Sequence, residues 1–475
     1  MLTVAQARDR ILERITPLAA EDVPLTQARG RVLAEEVHAE RDVPPFTNSA
    51  MDGYAIRAVD VRGASASQPV RLRLLGEVRA GAAPTTAVQP NTALRIMTGA
   101  MVPEGSDAVV RVEDTAERDG AVEVRVAVDS GTSLRAAGSD LHRGDLVATT
   151  GRVITPGLIG VLASAGRTSV RCVGRPRVLL LTTGDELREP GESLAPGQIT
   201  NTNRYTLLAA IEDAGGVVID AGVARDERQD LLDRLRNVRE AQLVVSTGGV
   251  SMGAYDLVRG LLEEEEAVDF WQVALRPGKP LLFAAVSGVP LIGLPGNPVS
   301  TLVGFELFVR PALLKMQGRA DLERPRLTAI TEVPLVNPPH LEQYFRGIAR
   351  RDGSRIAVRL TGDQGSHVLR SMADANCLIV VPQGTREVAA GSPVEIMPLA
   401  PIDCDHTTNS RSLRARNSAR TSRATPIQPV MPMTAMIVQI DGLRNASTAS
   451  SRKKRGNTSI RSTRRMIVAS TMPPL

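Results

Sequence analysis

The runs RVLLLTTGDEL (177–187), LVVSTGGVSMG (243–253) and VPLIGLPGNPVS (289–300) share one construction: an apolar stretch of strand length that breaks into threonine, glycine or proline. Apolar runs without polar alternation belong to strands covered on both faces. Similar runs stand at VVIDAGVA (217–224), WQVAL (271–275) and LLFAAV (281–286), and helix-length amphipathic segments separate them at residues 204–214, 230–239, 257–264 and 299–316. Strand, helix, strand in this order predicts a doubly wound, mainly parallel sheet with helices on both faces, spanning residues 176–320. In such a sheet the ligand crevice lies at the carboxyl ends of the strands. The loops that fall there are TTGDE (182–186), ARDE (224–227), STGGVSMG (246–253), RPGKP (276–280) and LPGNP (294–298).

Outward from this core the pattern changes. Val4 to Ile15 carries apolar residues at helical spacing, and Pro17 stops it. From Val70 to Thr150 the chain breaks into short β-branched runs cut by Gly and Pro, the pattern of a small β domain; a helix is expected from Pro156 to Ala165. After Pro325 short strands return (RLTAITEVPL, YFRGIARRDG, RIAVRLTG, CLIVVPQG, PVEIMPL), so a second β domain closes the folded part near Leu399.

The net charge of +5 hints at nucleic-acid binding until it is divided along the chain. Residues 405–475 hold 13 Lys/Arg against 2 Asp/Glu, leaving 44 basic and 50 acidic residues before them. The basicity therefore belongs to a Ser/Thr/Arg-rich tail, 401–475, which lacks the patterned apolar residues that offset ordering entropy and is expected to be disordered. No partner of nucleic-acid or membrane type is expected. No run approaches a membrane span, and the charged start lacks a signal peptide's apolar core, so a cytoplasmic location is expected. Cys172, Cys377 and Cys404 form no CxxC pair, which argues against a disulfide framework or a zinc knuckle.

There is no GxxxxGK[ST] or HExxH, so P-loop hydrolysis and zinc proteolysis find no support. What remains is a set of glycine-rich strand-end loops with acids beside them. Gly248, Gly249 and Gly253 let backbone N–H groups turn toward a phosphate. Asp185, Glu186, Asp226 and Asp256 are hard ligands of the kind a magnesium ion takes, although Asp226 and Asp256 also fit as helix caps. Arg276 and Lys279 flank a rigid Pro-Gly turn and suit a tetrahedral oxyanion. Stiff polar loops far from the sheet, VPPFTNSAMDGYAIR (43–57), RIMTGA (95–100), GSD (138–140) and DQGSHVLRSMADAN (363–376), read either as subunit contacts or as parts of a site, with His367 a structural hydrogen-bonding residue.

Taken in order, NSAMDGYA, RIMTGA, TTGDEL, TNR (202–204), STGGVSMGAYD, RPGKP, GLPGNPVS and QGSH resemble the MoeA family of molybdopterin molybdenumtransferases and the carboxy-terminal domain of gephyrin, over residues 2–397. The resemblance implies an elongated amino-terminal region (1–175) with an inserted β domain at about 55–150, an α/β molybdopterin-binding domain (176–320) and a carboxy-terminal β-barrel (325–400). It also implies a homodimer whose active-site cleft is shared between subunits. By position, the implied catalytic residues are Asp52, Thr98, Asp140, Glu186, Asp226 and Asp256, with magnesium on Glu186, Asp226 and Asp256. Implied substrate contacts are Gly248, Gly249, Ser251, Arg276, Lys279, Pro295, Pro298 and Ser366. The implied reaction inserts molybdate into adenylylated molybdopterin and releases AMP, with other proteins of molybdenum-cofactor synthesis as further partners. Adenylyl transfer to molybdopterin and a non-catalytic scaffold are the alternatives. Asn201 stands where an aspartate is common, Ser139 where a glutamate is usual, and Arg276 where some members have lysine. Asn201, having no charge, is left outside the expected site.

Overall fold

The computed structural model describes residues 1–225, 227–248 and 268–402. The expected helix at 257–264 and the tail from 403 onward lie outside them.

The chain opens with the helix Val4–Glu13, started by Thr3 and Gln6 bonding each other's backbone N–H groups at 3.1 and 3.0 Å. Its buried stripe, Val4, Ala7 and Ile11, packs not into the amino-terminal region but into the α/β core against Phe305, Phe308 and Ala312. The strand Ala20–Pro24 then pairs antiparallel with Ser169–Val173, so residues 25–168 form an excursion closed at its base. Within it, Val37–His38 pairs with Leu146–Ala148, and farther out lies a six-stranded sheet ordered Ala108–Arg111, Gly53–Ile56, Thr92–Ile96, Val70–Val78, Ala121–Val124, Thr115–Arg118. Nested pairing of this kind makes the region elongated and holds the two stiff loops, 43–57 and 95–100, on one sheet. Gly53 has no substitute there, because a Cβ would lie 1.9 Å from the carbonyl oxygen of Val110 on the neighbouring strand.

The expected doubly wound sheet is present. Its order is Val217–Ala224, Arg177–Thr183, Leu243–Thr247, Val289–Leu294, Pro280–Val286, Val268–Gln272; the first four strands are parallel, and Pro280–Val286 runs antiparallel to both its neighbours. Alternate residues of each strand go to opposite faces. Val178, Leu180, Val245 and Ile292 meet the helix Thr202–Asp213, the first helix and the segment 298–316, while Leu179, Val244 and Leu282 meet Val238 of the turn Leu235–Glu240. The run WQVAL divides: Gln272 ends the edge strand, and Leu275–Arg276 leaves the sheet to pair in parallel with Glu342–Gln343.

That pairing joins the α/β unit to the last domain, a closed five-stranded barrel. Glu342–Asp352 bonds Arg355–Leu360, then come Leu327–Thr331, Pro393–Pro398 and Cys377–Val381, which returns to Glu342–Asp352. Closure leaves no free edge among the five. A second tie is the N–H of Val299, at the start of the helix Pro298–Gly304, donating to the carbonyl of Ser366 at 3.1 Å. Among the described residues no helix is long and apolar enough to cross a membrane.

Candidate active site

Two cavities adjoin at the carboxyl ends of the parallel strands, about 470 and 290 Å³, and they share Pro280, Pro295 and Asn297.

The larger is walled by the strand ends themselves: Thr182, Thr183 and Thr247, with Glu186, Leu187 and Ile199 on one side and Gly248 and Gly296 on the other. Asn201 caps the helix Thr202–Asp213 by accepting from Arg204 N–H at 3.2 Å and donates to Thr182 Oγ1 at 3.0 Å. Asn203 donates to Thr247 Oγ1 (3.0 Å) and to the Gly296 carbonyl (2.7 Å). Thr247 in turn donates to the Pro295 carbonyl at 3.1 Å, and Thr301 reaches the same carbonyl at 2.5 Å. The LPGNP loop is thus pinned from three sides. Arg204, the last residue of TNR, holds the helix start by pairing Glu189 at 2.7 Å and Asp220 at 2.6 Å. Thr183 Oγ1 and Asn203 Oδ1 are buried and have no hydrogen-bond partner among the described residues, so two polar atoms of this cavity remain available to a ligand. Gly248, at φ +101°, is required as glycine because a Cβ would lie 2.2 Å from the Thr183 carbonyl oxygen.

The smaller cavity is lined by the turn 276–280, by Ser300, and by Gln343, Arg346, Gln364, Gly365 and Ser366 of the barrel domain. Among the described residues it has three cationic liners and no carboxylate. Among the described residues Arg276, Lys279 and Arg346 form no ion pair. Arg346 is 1% exposed, and its guanidinium donates to Ser371 Oγ at 3.0 Å and to the Gly365 carbonyl at 3.0 Å, which orients it without neutralising it. Burial pushes its pKa down to about 10; Asp363 opposes this and Arg276 adds to it by repulsion. It stays charged at neutral pH, and an anion would relieve the cost.

Asp52 and Thr98 meet on the amino-terminal sheet: Thr98 N–H and Oγ1 donate to one Asp52 oxygen at 2.7 and 2.8 Å. Asp140 is exposed on a loop whose backbone bonds the other stiff segment, Gly138 N–H to the Pro44 carbonyl and Asp140 N–H to the Val43 carbonyl, both at 2.9 Å. None of these three lines either cavity. The structure therefore gathers Glu186, Gly248 and Pro295 at the larger cavity and Arg276, Lys279, Pro295 and Ser366 at the smaller one, with Pro298 starting the helix that leaves the shared loop. Asp226, Gly249, Ser251 and Asp256 lie outside the described residues. Sequence reasoning missed Arg346, Gln343 and Asn203 and set Asn201 aside; the one available signal was a lone arginine inside the apolar run YFRGIA. No group of three metal-binding side chains is found among the described residues. Glu186 is exposed and lines the larger cavity, close enough to Gly184 that a Cβ there would lie 2.5 Å from its carboxylate.

Comparison with known proteins matches three successive regions: the MoeA N-terminal region (domain I and II) over residues 2–166, a probable molybdopterin binding domain over 179–315, and the MoeA C-terminal region (domain IV) over 328–399. The chain is 39% identical to molybdopterin molybdenumtransferase 2 of Mycobacterium tuberculosis over 408 residues, 84% of this chain and 100% of that one. The chain belongs to the MoeA family. A molybdopterin molybdenumtransferase of Haemophilus influenzae is 37% identical, covering 84% of this chain and 98% of its own. A molybdopterin biosynthesis MoeA protein of Pyrococcus horikoshii superposes with a TM-score of 0.70 at 30% identity, covering 84% of this chain and all of its own. Both cavities of this MoeA-family chain thus lie on the matched molybdopterin-binding region, and the smaller one is completed by the matched C-terminal region.

The Asp52 carboxyl is held below its ordinary 3.8, first by the Thr98 backbone N–H, then by the Thr98 hydroxyl, with Arg95 assisting and desolvation opposing. Both bonds favour the charged form, so the ionised state survives as pH falls below 3.8 and is lost only through the lower, folded value. Thr98→Val keeps the N–H and removes the hydroxyl. The Asp52 titration midpoint, followed by carboxyl carbon NMR and assigned with Asp52→Asn, is expected to rise toward 3.8 without reaching it. An unchanged midpoint would show that the hydroxyl bond contributes nothing.

Proposed function

We propose that this chain inserts molybdate into adenylylated molybdopterin, releasing AMP and leaving the metal on the dithiolene sulfurs. The observation that carries the reading is the smaller cavity: three cations that form no salt bridge among the described residues, beside a strand-end pocket whose buried Thr183 and Asn203 oxygens have no hydrogen-bond partner among those residues. The division of labour follows from the chemistry of each lining. Arg276, Lys279 and Arg346, with the Ser366 hydroxyl, attract and orient the oxyanion. The larger cavity takes the pterin nucleotide, its phosphates on the Gly248, Gly249 and Ser251 loop, and the stiff Pro295–Pro298 loop fixes the spacing between the two ligands. Magnesium bound by Glu186, Asp226 and Asp256 would supply charge neutralisation at the phosphoanhydride. The protein acts in the cytoplasm and receives its nucleotide substrate from other proteins of cofactor synthesis. Adenylyl transfer alone and a purely structural role leave the unpaired cations without a task.

Asp52, Thr98 and Asp140 enter the scheme through a homodimer, in which the amino-terminal sheet of one subunit faces the strand-end cavities of the other. Exposed Phe46, Met51 and Met101 flank the Asp52 loop and suit such a contact.

Purified protein is expected to release AMP from adenylylated molybdopterin only when molybdate is added. Losing a charge-assisted contact to a bound anion costs about 1.5–3 kcal/mol, on the order of 10- to 150-fold. Lys279→Ala should raise the half-saturating molybdate by that factor while nucleotide binding changes little, and Asp256→Ala at fixed magnesium should do the reverse. Equal shifts in both variants would overturn the assignment. Mixing Asp52→Ala chains with Glu186→Ala chains should restore part of the activity through hybrid dimers with one intact cleft. No recovery despite subunit exchange, shown by mass spectrometry, would contradict the shared cleft.

A further inference from the structure

The TNR segment does more than start a helix. The beginning of Thr202–Asp213 bonds three strand ends that are neighbours in the sheet. Asn201 donates to Thr182 Oγ1, in the strand Arg177–Thr183, and Asn203 donates to Thr247 Oγ1, in Leu243–Thr247, and to the carbonyl of Gly296, just past Val289–Leu294. Arg204 anchors this helix start through Glu189 and Asp220, so Asn203 is presented by an element that is itself held. The orientation of its amide is settled by its partners. The Gly296 carbonyl can only accept, so the nitrogen faces it and both N–H groups are engaged. Oδ1 is left buried with no partner among the described residues, a state that carries a desolvation cost. Leucine, of similar shape, would carry no such cost, so the use of an amide here lies in what its two donors hold. They hold the loop that separates the two cavities.

We propose that Asn203 is a positioning residue for the transfer: it fixes the Gly296 peptide of the dividing loop and so sets the alignment of the two ligands on either side, acting through the loop rather than on the reacting atoms. This rests on the assignment of one cavity to the oxyanion and the other to the nucleotide. Gly296 is where such control is needed, because Pro295 and Pro298 restrict the backbone around it while glycine leaves it free to turn. The loop is gripped from a second side by Thr301, which donates to the carbonyls of Pro295 and Asn297. Thr247 links the two grips, accepting from Asn203 and donating to the Pro295 carbonyl. Alignment of this kind enters the rate and not the affinities. With the loop released, each ligand keeps its own contacts, but the pair is no longer held in reactive geometry.

The test separates binding from turnover in Asn203→Leu, Asn203→Ala, Thr301→Val and the double variant Asn203→Leu/Thr301→Val. Calorimetry measures molybdate binding and, without molybdate, binding of adenylylated molybdopterin; a single-turnover assay measures AMP release with both ligands saturating. For the Asn203 variants both affinities are expected to stay near wild type, while AMP release slows on the order of 100-fold, the effect of a misplacement of about 1 Å. Asn203→Leu removes the unpaired Oδ1 together with the two bonds, so its unfolding midpoint should stay close to wild type. Thr301→Val should show the same split, and the double variant should lose little more than the worse single one, because both changes release one loop. If a folded Asn203 variant keeps wild-type release, or loses nucleotide affinity in step with release, the inference on Asn203 fails and the cavity assignment stands. A lowered unfolding midpoint with loss of both affinities would mark a merely structural role and overturn it, as would single losses that multiply in the double variant. If AMP release by the wild type does not depend on molybdate, the cavity assignment fails and this inference with it.

Discussion

Arg276, Lys279 and Arg346 surround one cavity with no carboxylate in its lining among the described residues, and the architecture around them is what holds three like charges together. Removing a charged group from water costs several kcal/mol even after relaxation. Arg346 meets that cost with carbonyl and hydroxyl contacts that orient its guanidinium and with the nearby Asp363 carboxylate, while forming no salt bridge among the described residues. The two other cations come from a different domain, so their approach depends on the seam between the α/β unit and the barrel. That seam combines the ladder of Leu275–Arg276 with Glu342–Gln343, the bond from Val299 N–H to the Ser366 carbonyl, and Tyr344, Leu378, Val380 and Met397 of the barrel, which are buried in one cluster with the α/β core. An arrangement that is costly when empty and relieved by an anion supports the proposed oxyanion site.

The second constraint is the wall between the cavities. Pro295 and Asn297 face both, and the side chains of Asn203, Thr247 and Thr301 hold the loop through five hydrogen bonds to its backbone or to one another. Two ligands bound on either side of such a wall keep a fixed separation, as a transfer between them requires. Asn203 therefore matters to both cavities while lining only the larger.

The sheet was legible because its strands are buried on both faces and so read as unbroken apolar runs; Val178 and Leu179 go to opposite faces and are both apolar. The loops were legible because glycine and proline mark strand ends. Arg346 was not. In an alternating strand a charged residue reads as solvent-facing, and only closure of the barrel against the α/β unit turns that position inward. Asn201 was set aside because the sequence reading looked for acids, whereas the structure uses it as a helix cap whose amide also reaches Thr182. The first helix shows the same limit: its amphipathic period is plain, but nothing local says that Val4, Ala7 and Ile11 pack on residues some 300 positions away.

The central claim is that the cavity between the α/β unit and the barrel takes the oxyanion while the strand-end cavity takes the nucleotide. Crystals soaked in tungstate, a heavier tetrahedral dianion of the same geometry as molybdate, test it by anomalous diffraction. A peak is expected among Arg276, Lys279, Arg346 and Ser366. A peak beside Glu186 and Thr183, with none at the three cations, would contradict it.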